Sequence, residues 1–319
     1  MAIPRLPSVH DFLAAHLGGP IEDLTAVGHG EWSSAFTFRH RALDYVARFS
    51  ALDEDFRKDR RAMAWSTRDL PIPRILQIGE AFDGYFALSE RAPGEFLDLL
   101  DAAELRRVLP SLFAALDAAR QVDLADSHGF GIWAAGGNAP YATWREALLA
   151  ISVDSPTNRT YGWRERLFSS PSGGQAFRSA YARLEALLHF CPEARHVIHS
   201  DLLNFNVLFA EDRVSAILDW GSSMYGDFVF DVAWLTFWQP WYRAWDSVDI
   251  ARAALDHYAE IALEVPLFAE RLRCYELYIG LDGLAYQSWK GRWDDVAWTS
   301  RRLLALAHPS RAGPSGGEG

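Results

Sequence analysis

Across His199-Ser200-Asp201-Leu202-Leu203-Asn204-Phe205-Asn206 an aspartate follows a histidine by two positions and precedes an asparagine by five, an HxDxxxxN pattern. These residue types suit phosphoryl transfer from a nucleotide. That chemistry needs a carboxylate to orient an acceptor hydroxyl and receive its proton, and hard oxygen ligands for a Mg²⁺ ion that bridges the phosphates. Asp201 lies in a loop, where a carboxylate can meet a hydroxyl. Asn206 opens and Asp219 closes a segment patterned as a β-hairpin, Val207–Ala210 with Val214–Asp219 around Glu211-Asp212-Arg213, so both oxygens can reach one ion. A blander account stays open: a loop held by Asx turns, with Asp219 capping a strand end.

The elements that must position these groups fall into two parts. The first hundred residues are strand-rich. Leu24–His40 alternates around Gly28-His29-Gly30, Ala42–Phe49 is a short apolar strand, and Ile75–Phe82 with Tyr85–Ser89 flank Asp83-Gly84, a hairpin signal. Between them Asp53–Asp69 has helical character and stops at Leu70-Pro71-Ile72-Pro73. Ala92-Pro93-Gly94 breaks the pattern and marks a domain boundary. Beyond it the chain is mostly helical: Ala102–Val122, Gln175–Phe190, and Phe230 to Ala307, with Gly129–Tyr141 as a loop. This organisation predicts an α+β chain with a small β-rich part over 1–91, a larger helical part over 92–308 and a disordered tail over 309–319.

Composition narrows the partners. The 319 residues carry a formal charge of −11, which argues against nucleic acid. Residues 201–300 hold 16 acids, 7 bases and 8 of the 13 tryptophans. Acid together with aromatic surface suits a cationic organic ligand, and equally a solvated acidic face over a tryptophan-rich core. No apolar run approaches the length of a membrane span and no leader segment is seen, so a cytoplasmic protein is expected. The two cysteines, Cys191 and Cys274, exclude a disulfide framework and a CxxC metal site.

Several of these segments resemble the aminoglycoside phosphotransferase family, a branch of the protein-kinase-like fold, and within it the enzymes that act on hygromycin B. The likeness runs from about Leu24 to Ala307. It includes Leu70-Pro71-Ile72-Pro73, His128-Gly129-Phe130-Gly131, Thr143-Trp144-Arg145, the HxDxxxxN loop, Leu218-Asp219-Trp220, Gly226-Asp227, Phe237-Trp238-Gln239-Pro240-Trp241 and Ile279-Gly280-Leu281-Asp282. The resemblance implies a two-lobed fold and a kinase that moves the γ-phosphate of ATP or GTP, with Mg²⁺, to a hydroxyl of a small cationic, polyhydroxylated acceptor, without nucleic acid or membrane. Asp201 would be the catalytic carboxylate, and Asn206 and Asp219 the metal ligands. His199 and Asp231 would be structural. The nucleotide would lie between the lobes against Gly28, Gly30, Ser33 and Ser34, with Ser89, Glu90 and Ala92 presenting backbone to the base.

One departure stands out. The fold places a lysine on its third strand, and this chain has only Lys58 and Lys290. Arg48 occupies that slot and Asp59 would be its helix partner, a pairing that keeps the reach because a longer cation meets a shorter acid. For the acceptor, Asp227, Asp282 and Glu276 would supply charge. Trp234, Trp238, Trp241 and Trp245 recur at helical spacing, as either core or a sugar-stacking wall. Leu202-Leu203 and Gly221-Ser222-Ser223 lack the polarity expected beside an antibiotic. A kinase for a cellular amino alcohol or sugar would keep the same catalytic residues, whereas an inactive binding protein would be expected to lose Asp201 or Asp219. The short turn after Asp219, without Asp-Phe-Gly or Ala-Pro-Glu, leaves no room for a protein-kinase activation loop.

Overall fold

A computed structural model describes residues 5–29 and 32–308; Gly30 and the tail 309–319 of the expectations above lie outside the described residues. The architecture is α+β. An antiparallel sheet forms the N-terminal part and helices dominate the C-terminal part. The chain divides into two compact units. One comprises the residues up to His128 with Ile132–Ala139 and His196–Met224; the other comprises Gly129–Gly131, Pro140–Arg195 and the residues from Tyr225 onwards.

In the first unit, helix α1 (Leu6–Leu17) precedes strands β1 (Glu22–His29), β2 (Ser33–His40) and β3 (Leu43–Ser50). Helix α2 (Glu54–Met63) leads to β4 (Ile75–Ala81) and β5 (Gly84–Glu90), and the sheet order is β1-β2-β3-β5-β4. One face of this sheet is apolar at every second position. Phe36 and Phe38, Ala47 and Phe49, and Phe86 and Leu88 pack under Val9 and Leu13 of α1. The opposite face of β3 therefore presents Arg48, which lies opposite Ala87 of β5.

Two local expectations shift. The β4–β5 turn is Phe82-Asp83, with Ala81 opposite Gly84 and Phe82 at φ 53°, one residue earlier than the Asp83-Gly84 signal. The Phe82 ring reaches Phe12 and Phe49, at centroid distances of 5.6 and 5.4 Å, which fixes that register. Helix α2 ends at Met63 rather than near Asp69. Past it, Thr67 and Leu70 bond each other and the Ser66 hydroxyl bonds the backbone of Ile72, the local side-chain bonding that competes with helix.

A second, smaller sheet of this unit carries the HxDxxxxN loop. The hairpin Val207–Ala210 and Arg213–Ile217 pairs antiparallel, and Val207–Ala210 also pairs with β6 (Glu95–Phe96). The hairpin turn is Glu211-Asp212, both at positive φ, the geometry of a two-residue I′ turn. Gly94 is required beside it: at φ 123° a Cβ would stand 2.3 Å from the Phe209 carbonyl oxygen. Helix α3 (Ala102–Arg120) starts on an Asp101/Glu104 capping box, and its Ser111 hydroxyl accepts the Val214 amide at 2.9 Å.

The second unit is helical: α4 (Trp144–Leu149), α5 (Trp163–Ser169), α6 (Pro171–Leu187), α7 (Val229–Trp238), α8 (Ile250–Glu260), α9 (Phe268–Lys290) and α10 (Trp293–Ala307). Helix α9 is buried along most of its length and packs on α5, α6, α7 and α10. Gly280 lets three helices meet there, since a Cβ would fall 2.5 Å from Leu303 of α10 and 2.8 Å from Phe237 of α7. Among the described residues no helix is long and apolar enough to cross a membrane.

Candidate active site

The catalytic loop is held by its own polar groups. The His199 ring is 1% exposed and stands edge-on to Trp220. Its Nε2 donates to the Leu218 carbonyl at 2.7 Å, and its Nδ1 accepts the Asp201 amide at 3.2 Å. Both bonds suit the neutral imidazole, and burial holds its pKa down to about 4. His199 thus joins the loop to Leu218, which links the strand Arg213–Ile217 to Asp219, and has no exposed nitrogen for acid–base work.

This burial makes stability depend on pH. The unfolded imidazole protonates near 6.5 and the folded one near 4. The stability is therefore complete above the unfolded value and is lost as pH falls toward the folded one. In urea titrations the advantage of the wild-type chain over His199→Asn should shrink by on the order of 3 kcal/mol between pH 7 and pH 4. A constant difference would show that the folded ring takes up a proton freely.

Asn204 and Phe205 adopt left-handed backbone at φ 63° and 66°, and their amides donate to the two Asp98 oxygens at 2.8 and 3.0 Å. This bend turns the Asn204 side chain back, so that its Nδ2 donates to Asp201 Oδ1 at 2.9 Å. Asp98 and Asn204 escaped the sequence reading, because neither has a signal apart from the bend that joins them. Leu202 and Leu203 are fully buried. Their lack of polarity therefore reflects the core and carries no information about an acceptor.

Asn206 and Asp219 meet at the mouth of the hairpin. Asn206 accepts the Leu218 amide on its carbonyl at 2.7 Å, which sets it beside the residue preceding Asp219. Its side-chain Nδ2 donates to the Asp201 carbonyl at 2.8 Å, so the amide oxygen is turned away from that bond and could serve a cation. Asp219, at φ 55°, starts the turn Trp220–Ser222. It is solvent-exposed, yet desolvation and then repulsion from Asp59 and Asp55 raise its carboxyl pKa against the pull of Arg48. An amide oxygen and a crowded carboxylate form a hard donor set that a divalent cation would relieve.

Helix α2 faces this turn with charge. Acids in its first turn and bases in its last agree with the helix dipole. Arg48 Nη2 pairs with Asp59 Oδ2, and the guanidinium lies 5.1 Å from the Phe56 ring centroid. Burial lowers the Arg48 pKa, but Asp59, Asp219 and Asp55 more than offset it, and the net direction is upward. The other Asp59 oxygen accepts the Trp220 amide at 2.8 Å. Lys58, which the sequence reading set aside for not lying on the third strand, is 2% exposed, and desolvation brings its pKa down to about 8.

The other residues expected at a nucleotide are placed as follows. Gly28 lies in β1, and Ser33 and Ser34 open β2, with Ser34 opposite His29. Ser89 and Glu90 close β5. The Glu90 amide bonds the Arg74 carbonyl and the Arg91 amide the Asp44 carbonyl, so neither of these amides is open to a ligand.

In the second unit, Asp227 is fully buried. It pairs with Arg271 through both oxygens, at 2.5 and 2.8 Å, and accepts the Tyr275 hydroxyl at 2.6 Å. It is a framework residue and not the acceptor ligand the sequence reading made it. Glu276 is also buried, bonded to Thr236 and flanked by Arg273 and Arg302. Asp231 is buried in the first turn of α7, as suits a carboxylate near a helix N-terminus. Asp282 differs: it is exposed, and desolvation still pushes its carboxyl up to about 6. Next to it, the Trp238 ring would meet a Cβ on Gly283 at 3.3 Å.

The tryptophan spacing does not form one helix face. Helix α7 stops at Trp238, Pro240 follows in the short turn Gln239–Trp241, and Trp245 belongs to a separate turn. Trp245 is wholly buried. Trp238 stacks on Trp298 at 5.9 Å, and Trp241 meets Trp298 edge-on at 5.0 Å while remaining 46% exposed.

The chain is similar to several known proteins. The family described as "Phosphotransferase enzyme family" matches residues 23–264. A hygromycin-B 4-O-kinase of Escherichia coli is 34% identical over 311 residues, which is 97% of this chain and 87% of that protein. The crystal structure of aminoglycoside phosphotransferase APH(4)-Ia aligns with a TM-score of 0.83 at 32% identity, covering 95% of this chain and 99% of that one. A thermostable mutant of it in ternary complex with AMP-PNP and hygromycin B aligns at 0.82 with 33% identity, covering 94% and 98%.

Proposed function

The chain belongs to the phosphotransferase enzyme family, and on that premise we propose that it transfers the γ-phosphate of ATP to one hydroxyl of a hygromycin-type aminoglycoside. The observation that carries the reaction is the loop in which Asn204 orients Asp201 while Asn206 and Asp219 flank the hairpin mouth. Asp201 accepts the proton of the acceptor hydroxyl as its oxygen attacks the γ-phosphorus. The bond from that phosphorus to the β-bridging oxygen breaks, and ADP leaves. Asn206 and Asp219 would hold a Mg²⁺ ion, whose charge would offset that of the phosphates. Arg48, fixed by Asp59, reaches a phosphate. Gly28 and Gly30 with Ser33 and Ser34 cover the phosphates, and Ser89, Glu90 and Ala92 border the base. These nucleotide contacts fall within 1–91, with the phosphate-accepting chemistry in 92–308.

For the acceptor, Asp282 supplies the charge and Trp238 and Trp241 the aromatic surface. A carboxylate and an exposed indole are groups that suit an ammonium-bearing sugar. The relative in ternary complex with hygromycin B gives that reading its substrate class. Its test is the pH dependence of kcat/KM for hygromycin B. Because the Asp282 carboxyl is pushed up to about 6, the ionised form fades as pH falls through that value, and kcat/KM should decline with it. Asp282→Asn should lower kcat/KM at pH 7.5 by roughly tenfold, the value of one exposed charge contact, and remove that limb. An unchanged profile in the variant would move the acceptor elsewhere and favour a neutral metabolite.

A further inference from the structure

Lys58 is one of two lysines in the chain, and it is the one that is buried. An ammonium withdrawn from water costs several kcal/mol unless it is bonded, so a lysine so placed holds something in return. Its Nζ donates to the Gly221 carbonyl at 2.5 Å and to the Ser223 carbonyl at 3.4 Å, and it stands 4.4 Å from the centroid of the Trp133 ring. These carbonyls belong to the turn that Asp219 begins. The neighbouring α2 residue, Asp59, holds the same turn by the Trp220 amide. Residues 58 and 59 thus grip one turn from its two polarities: Lys58 binds its carbonyls and Asp59 one of its N–H groups.

The turn needs that grip. Asp219 keeps a left-handed φ of 55°, which a non-glycine residue holds only where its surroundings enforce it. Gly221 has no room to move inward, since a Cβ there would lie 3.0 Å from Asp219 Oδ1 and 3.1 Å from Asp55 Cγ. Two carboxylates therefore crowd the segment whose carbonyls Lys58 binds. Without the ammonium, these would repel each other and leave two inward-facing carbonyls unbonded.

We propose that Lys58 is a positioning residue that fixes the Asp219 turn and thereby sets the affinity of the site for the Mg²⁺ complex of the nucleotide. The proposal rests on the reading of Asp219 as a metal ligand. Lys58 acts through the turn and touches neither metal nor phosphate. Residues that orient a metal ligand change metal affinity by about 10–100-fold when removed.

The test is nucleotide binding by calorimetry with ADP and with a non-hydrolysable ATP analogue, each with and without Mg²⁺, in the full-length protein. The wild-type chain should bind more tightly with Mg²⁺. Lys58→Met keeps the buried stem and loses the donors. It should lose about 10–100-fold in affinity with Mg²⁺ while its Mg²⁺-free affinity stays near wild type. Lys58→Arg keeps the charge and should lose only several-fold; it also decides the matter if the methionine variant does not fold. A structural role alone would weaken both conditions equally, and that result overturns the proposal, as does wild-type affinity for Mg²⁺·nucleotide in Lys58→Met or, where that variant does not fold, in Lys58→Arg. If the wild-type chain gains nothing from Mg²⁺, the metal reading of Asp219 fails first and the proposal falls with it.

Discussion

Replacing Asp201 by asparagine should reduce kcat by about 10²–10⁴-fold while nucleotide affinity stays within a few-fold of wild type. The substitution keeps shape, the Asn204 contact through an oxygen, and the amide bond to His199. It removes the one charge that can take the acceptor proton. The loss therefore falls on the chemical step. Steady-state kinetics beside a direct nucleotide titration would separate the two effects. A nucleotide affinity reduced as much as kcat would mean that Asp201 serves the nucleotide and not the acceptor.

The Arg48–Asp59 pair carries the second large effect. Arg48→Ala should raise the nucleotide KM and lower kcat, because the cation nearest Asp219 from the sheet is gone. It should also destabilise the fold by about 3–5 kcal/mol, since it leaves Asp59 buried among Asp55 and Asp219 with no guanidinium. Arg48→Lys should restore part of both, limited by the loss of the planar fork. The double variant with Asp59→Ala should be less unstable than the sum of the single changes, because it removes the stranded charge. Equal kinetics for Arg48→Ala and wild type would reduce the pair to a structural ion pair.

Much of the site was legible in the sequence because its geometry is local. HxDxxxxN, the hairpin that follows and Asp219 lie within 21 residues, positions 199–219, and hairpin pairing brings them together with little help from the rest of the fold. Arg48 and Asp59 were legible through the family resemblance, which implies a cation on the third strand and an acid partner on the next helix. The failures are long-range. Asp227 carries no mark that Arg271, 44 positions later, takes its charge. Lys58 reads as a helix surface lysine until Gly221 and Trp133 are seen around it. The tryptophan spacing mimics a helix face, and only Pro240 warns that the helix has ended at Trp238. Leu202 and Leu203 looked like missing ligand contacts because sequence cannot tell which side of a loop faces the core.

The most direct measurement is product analysis. The wild-type protein, with ATP, Mg²⁺ and hygromycin B, would be followed for ADP and for the antibiotic by mass spectrometry, beside Asp201→Asn. The site described here predicts a singly phosphorylated antibiotic in step with ADP from the wild-type chain, and neither from the variant on the same timescale. ADP without phosphorylated antibiotic, or the same product at the same rate from Asp201→Asn, would contradict it.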